Sequence, residues 1–120
     1  YYNDRVISVL LSDTDIRFAR DTDDTYGFDL PANFMAWKPT CSLLDNRLMS
    51  LAEKFVSADP QEDMLFYVWD HPWALSAYNA WDKAEKFLEY MSGREDVVYV
   101  TNSEFYRLFK DDIPSKGLWD

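Results

Sequence analysis

Met64-Leu65-Phe66-Tyr67-Val68-Trp69 is an unbroken apolar run between Asp63 and Asp70. The run is too short for a buried helix, and no polar residue alternates within it. It therefore reads as a strand covered on both faces, as in a parallel sheet. Downstream, Tyr78, Trp81, Ala84, Phe87, Leu88 and Met91 recur at three- and four-residue steps, with Asp82, Lys83, Glu85, Lys86 and Glu89 between them. This spacing predicts an amphipathic helix, and Gly93 stands where a left-handed residue closes such a helix. Val97-Val98-Tyr99-Val100 reads as a further strand. Thr101 and Glu104 then have capping-box spacing and open a last helix carrying Phe105, Leu108 and Phe109.

Upstream of the apolar run, Asp45 is positioned to cap a helix with Leu48, Met49, Ala52, Phe55 and Val56 on one side, and Pro60 follows its end. Phe34-Met35-Ala36-Trp37 reads as a short strand stopped by Lys38-Pro39. Residues 21–33 are rich in turn formers and read as a long functional or mobile loop. Ile16-Arg17-Phe18-Ala19-Arg20 alternates apolar and basic residues, the pattern of a short strand. Tyr2 to Ser12 reads as a helix capped by Asn3 or Asp4, with Val6, Ile7, Leu10 and Leu11 as its stripe. Helices thus alternate with three to four mostly parallel strands, which predicts an α/β fold with right-handed crossovers. One domain is expected over residues 1–112, with a loose tail over 113–120 that contains Pro114 and Gly117.

The chain has 120 residues, of which 48% are hydrophobic and 28% charged, a globular composition for one domain. Its 18% aromatic content calls for a ring-rich core or a ring-lined groove. Twelve basic residues against 22 acidic ones give a net charge of −10, which argues against nucleic acid and anionic membrane surfaces as partners. No apolar run is long enough to span a membrane. No basic segment precedes an apolar core, so no signal peptide is expected in this stretch. The chain opens on Tyr1-Tyr2 and not Met, so a removed N-terminus or a piece of a longer protein is expected. The lone cysteine, Cys41, cannot form an internal disulfide and leaves the redox compartment open; it reads as a small buried hydrophobe.

Ligands of parallel α/β folds meet the C-terminal ends of the strands. That rule points to Arg20 and the loop after it, to Trp69–Trp73, and to the Thr101-Asn102 turn. His71 is the only histidine and follows the longest apolar strand, where an imidazole can serve as general acid or base. The plain alternative is a hydrogen-bonded loop histidine. Asp70 beside it either raises the imidazole pKa or caps the turn. Trp69 and Trp73 flank His71 and could stack on sugar rings or pack in the core, whereas Trp81 fits the core stripe of its helix. Lys38 and Arg20 could each hold an anionic group or a surface ion pair. Asp21, Asp23, Asp24 and Asp29 could offer oxygens to a hard cation, but their spacing is not that of an EF-hand, and solvated turn aspartates are the simpler account.

Several motifs in order resemble the polysaccharide deacetylase (NodB-homology) family. Leu65-Phe66-Tyr67-Val68-Trp69-Asp70-His71, then Asn79-Ala80-Trp81 and Glu85, resemble that family's "LFYVWGHSYEF" and "NNWE". Gly93 to Asn102 resemble "GRDDIWYATN". Tyr2 to Ile7, Ile16 to Arg20, Phe28 to Pro31 and Trp37-Lys38-Pro39-Thr40-Cys41 resemble "YN.RVI", "IRYARTV", "F.LP" and "WHPTC". The resemblance covers roughly residues 2 to 106. It implies a partial (β/α) barrel, the C-terminal half of a hydrolase that removes N-acetyl groups from amino-sugar polymers. It also implies a divalent metal, usually zinc, in the full-length protein, with its ligands in an N-terminal half that these residues do not match, so the fragment itself is expected to bind none. By the resemblance, His71, with the apolar Trp69 two residues before it, is the general acid toward the leaving amine, and Arg20 and Trp37 match positions near the groove; Trp69 and Trp73, flanking His71, are then expected to line the sugar groove. The chain departs from the family pattern at Lys38, Ser42 and Leu43, which stand where the family has histidines, and at Asp70, which replaces a glycine.

Three functional readings are open to such a sequence. The first is the C-terminal part of such a deacetylase, inactive alone and acting on a carbohydrate substrate. The second is a non-catalytic carbohydrate-binding or interaction module. The third, a flavodoxin-like domain, lacks a phosphate-binding glycine loop. A half-barrel also leaves strand edges open, so self-association through them is expected.

Overall fold

A computed structural model describes residues 2–119; Tyr1 and the final tail residue Asp120 lie outside it. Its elements run α1 (Asp4–Asp13), a single 3-10 turn (Phe34–Ala36), β1 (Cys41–Ser42), α2 (Leu48–Ser57), β2 (Val68–Trp69), α3 (Pro72–Ala77), α4 (Trp81–Met91) and α5 (Asn102–Phe109). Among the described residues this is a mixed helix–sheet protein with five helices and one two-stranded parallel sheet. No helix among them is long and apolar enough to cross a membrane. The chain divides into two compact units, each drawn from separated segments.

Among the described residues the first unit comprises residues 2–22, Pro31–Lys38 and residues 99–119. α1 starts where Asn3 Oδ1 accepts the Val6 amide at 3.0 Å, which makes Asn3 the cap of the two candidates, Asn3 and Asp4. The two strands expected at 16–20 and 34–37 shrink to one parallel bridge, Arg20 with Trp37. Three backbone bonds build it: Ala19 N–H to Phe34 O, Trp37 N–H to Ala19 O, and Asp21 N–H to Trp37 O, at 2.9, 3.0 and 2.9 Å. Residues 34–36 turn instead of extending because Asn33 Oδ1 accepts the Met35 amide at 3.0 Å, a local bond that outcompetes a ladder. Trp37 is 1% exposed and packs against Phe34, Phe105 and Phe18 with ring centroids 5.3, 5.3 and 5.8 Å apart.

The expected loose tail is tied down. Phe34 donates its amide to Pro114 O at 2.8 Å, and Asn33 makes a reciprocal pair with the Lys116 backbone at 2.9 and 3.1 Å. Leu118 bonds Asp4, and Ile113 is buried. Residues 97–100 are not a strand, and Val98 and Tyr99 are 80% and 54% exposed. Their β propensity finds no neighbouring strand to pack on, and propensity alone does not make one.

The second unit comprises Asp23–Leu30 and Pro39–Val98. β1 and β2 pair in parallel, Cys41 with Val68 and Ser42 with Trp69. The apolar run is therefore extended, but only its last two residues form the strand. Ahead of them the Thr40 amide still donates to Tyr67 O at 2.7 Å, but the Tyr67 amide turns to Thr40 Oγ1 at 3.1 Å, so a side chain and not a carbonyl is its acceptor. Residues 64–70 are all half-buried, not covered on both faces. Much of the predicted long loop is pinned here: Thr25 and Tyr26 donate to the Pro39 and Thr40 carbonyls at 3.0 and 2.9 Å, and Leu65 donates to Phe28 O at 2.8 Å.

The core of this unit gathers Cys41, Leu48, Leu51 and Ala52 with Phe87 and Met91 of α4. Phe28, Phe55 and Phe66 add a ring triad at 5.2, 5.5 and 5.4 Å. The helix predicted from Tyr78 is broken. α3 ends, Asn79 takes a positive φ of 52°, and α4 begins at Trp81. Its buried stripe is Ala84, Phe87 and Met91, whereas Trp81 is 52% exposed and gives its indole N–H to Ser76 Oγ at 2.9 Å. Gly93 has the left-handed φ of 70° expected of it.

Candidate functional site

Three sequence-predicted residues meet in the second unit. β2 delivers Trp69 at its C-terminal end, and Pro72 at the first helical position starts α3 immediately after His71. The stretch between them is short, so the three rings of Trp69, His71 and Trp73 share one place. The His71 imidazole stacks on the Trp73 indole, with centroids 5.6 Å apart and planes 10° apart. Trp69 stands edge-on to the same imidazole at 5.7 Å and 86°.

Exposure grades across the cluster. Trp69 is half-buried and anchored by its indole N–H, which donates to Asp24 Oδ1 at 3.2 Å. His71 is exposed, and Trp73 is 67% exposed. A large apolar ring left open beside a polar imidazole is the informative exception in a folded chain. Asp70 serves the turn: its Oδ1 accepts the His71 amide at 2.7 Å. Its buried Oδ2 has no hydrogen-bond partner among the described residues.

Arg20 and Trp37 belong to the first unit. Trp37 is core there, so its ring offers no open face to a sugar. The reason is local: the backbone bridge to Arg20 fixes the chain, and three neighbouring rings close over the indole. Arg20 is half-exposed and donates from Nη1 to the Asp21 carbonyl at 2.9 Å. The Lys38 alternative resolves as an ion pair with Asp21, Nζ to Oδ2 at 2.8 Å.

The acidic loop does not converge on a cation. Asp21 pairs with Lys38, and Asp24 accepts from Trp69. Among the described residues no three His, Cys, Asp or Glu side chains gather closely enough to hold an ion. Cys41 is fully buried, and burial, with Asp45 and Asp24 nearby, pushes its thiol up to about 12. A thiol so protonated is a packing group and not a nucleophile.

One polar cluster was not foreseen in the sequence. The Arg47 guanidinium lies 3.5 Å over the Tyr26 ring and bonds Asp45 Oδ1 at 3.1 Å. Burial raises the Asp45 carboxyl, but bonds from the Arg47 amide, the Arg47 side chain and the Tyr26 hydroxyl outweigh it and hold the carboxyl below its ordinary value. Burial and the Asp45 bond raise the Tyr26 phenol. The spacing Asp45-Asn46-Arg47 was a visible signal; the partnership with Tyr26, held at a φ of 55°, was not.

Compared with known proteins, the chain matches no family model, no curated protein and no solved structure.

Proposed function

We propose that this chain is the sugar-contacting C-terminal part of a polysaccharide deacetylase-like hydrolase, a piece of a (β/α) barrel that acts on N-acetylated amino-sugar polymers. The observation that carries the reading is the Trp69–His71–Trp73 cluster at the end of a parallel strand, with an indole face and an imidazole both open to solvent. Flat aromatic faces suit the C–H faces of sugar rings, and the imidazole adds a hydrogen-bonding group beside them. When the amide C–N bond breaks, the departing nitrogen needs a proton. His71 as imidazolium supplies it, a role worth roughly 10²–10⁴-fold in rate. The resemblance puts the metal's donor set in an N-terminal half that these residues do not match, so the chain alone is expected to be inactive.

A second reading, a non-catalytic carbohydrate-binding or interaction module, is favoured by the departures from the family pattern at Lys38 and Asp70. It requires only the open ring surface. Calorimetric titration of this chain with an N-acetylglucosamine oligomer tests what the two readings share. Saturable binding is expected, weakened about tenfold or more (roughly 1.4 kcal/mol) by Trp73→Ala. Absence of binding, or binding indifferent to Trp73→Ala, overturns the sugar-contacting role. Acetate release from the oligomer by this chain supplied with zinc overturns its inactivity.

A further inference from the structure

Trp81 has the period of a core residue and lies in the open. It is 52% exposed at the start of α4, whereas Ala84, Phe87 and Met91 form the buried stripe. The ring is tied in place all the same. Its indole N–H donates to Ser76 Oγ at 2.9 Å, and the junction beneath it is fixed where the Ala80 amide donates to Leu75 O at 2.8 Å. A tryptophan has two side-chain torsions to lose on binding, and a ring already tied has lost part of that freedom beforehand. The bond thus preorganises a large flat ring that the core does not use.

Ser76 links this ring to the Trp73 cluster. It stands three residues after Trp73 in α3, and positions three apart share a helix face with β-carbons about 5–6 Å from each other. Ala74 and Leu75 are the buried residues of α3, so Trp73 and Ser76 belong to its solvent side. Along the surface the order is His71, Trp73, Ser76 and Trp81, all exposed and all in the second unit. Accepting the indole N–H leaves the Ser76 hydroxyl its own proton to donate. Asn79, exposed in the left-handed turn between α3 and α4, adds an amide. Rings set among hydroxyl and amide groups match a sugar chain, which is apolar on its C–H faces and polar at its edges. A protein partner calls for a contiguous apolar patch, and polar groups interrupt this one.

We propose that Trp81 is a second sugar platform, so that one amino-sugar oligomer lies on Trp73 and Trp81 together, with Ser76 between them. This platform presupposes the sugar-contacting reading proposed above and adds to it a preference for chain length. A single sugar covers one ring. In an oligomer that reaches both rings, the second contact becomes an intramolecular event, and the affinity exceeds that of either contact alone. The surface therefore selects the polymer over its monomer.

The test is an indole N–H chemical-shift titration of the whole chain with N-acetylglucosamine and with its linear hexasaccharide. The hexasaccharide is expected to shift Trp73 and Trp81 with one common midpoint and to bind at least tenfold more tightly than the monosaccharide. Trp81→Ala is expected to weaken the hexasaccharide about tenfold while the monosaccharide still shifts Trp73, and Trp81→Phe, which keeps a ring, is expected to recover most of that loss. Hexasaccharide binding that moves Trp73 and leaves Trp81 unmoved, or that is indifferent to Trp81→Ala, overturns the second platform and leaves the sugar-contacting role of Trp73 standing. Binding of neither sugar overturns both. A Trp81 signal that moves when the sugar-free chain is diluted assigns the face to a second copy of the chain and overturns the proposal. The titration uses the unaltered chain, so it remains decisive even if a variant fails to fold.

Discussion

The sulfur of Cys41 lies in the second unit's core with no accessible surface, beside Leu48 and Ala52. A thiolate there would lose its hydration and face two carboxylates, which is why its pKa rises to about 12 from 9.0. A thiol raised in the folded state favours the fold fully below its unfolded pKa, and that contribution drains away as the pH climbs. Stability measured by urea unfolding is therefore expected to fall between about pH 9 and about pH 12, and Cys41→Ala is expected to flatten that fall. A stability profile identical in the variant over this window would show that the thiol is not the group being titrated. Asp45 acts with the opposite sign, since its lowered carboxyl adds stability that disappears only under acid. Among the tryptophans, one residue type takes two fates. Trp37 is 1% exposed and Trp73 is 67% exposed. What separates them is the company of Phe18, Phe34 and Phe105 around the first, which are distant in sequence and leave no local signature.

At the level of elements, the devices that act within one turn were legible. α5 carries the complete capping box: Thr101 Oγ1 accepts the Glu104 amide at 3.2 Å, and Glu104 Oε1 accepts the Thr101 amide at 3.3 Å. Thr101→Ala is expected to lower stability by about 1 kcal/mol, read as a shifted urea midpoint with an unchanged slope. A midpoint that does not move would mean that α5 holds without its cap. Asn3 and Gly93 were legible for the same reason, because a cap and a left-handed closing residue depend on nearest neighbours. Strands were not, because a strand exists only with its partner. Residues 97–100 have the composition of a strand and no ladder, while residues 34–36 spend their backbone on a 3-10 turn. α3 was missed although Pro72 at its first position is a standard opening signal, since its six residues are too few to display a period. The candidate site was legible to the extent that it is local: Trp69, His71 and Trp73 lie within five residues. Arg20 and Trp37 depend on a bridge between distant segments, and there the ring turned out to be core.

For the molecule as a whole, both units are stitched from separated pieces of chain, so each depends on long-range contacts. The C-terminal stretch illustrates this. Its backbone accepts the amide of fully buried Phe34, pairs with Asn33 and places Ile113 in the core. Ending the chain after Asp112 leaves the Phe34 amide without its acceptor and is expected to cost at least about 2 kcal/mol in urea unfolding. A truncated chain as stable as the full one would show that the tail merely lies on the surface.

The proposed function requires that the rings at 69–73 form a surface for sugars. The indole N–H resonances of the five tryptophans report on this directly during titration with an N-acetylglucosamine oligomer. Trp73 and Trp69 are predicted to shift in a saturable manner while Trp37 stays in place. Unmoved signals for Trp69 and Trp73 at saturating oligomer, or a shift at Trp37 in their stead, would contradict it.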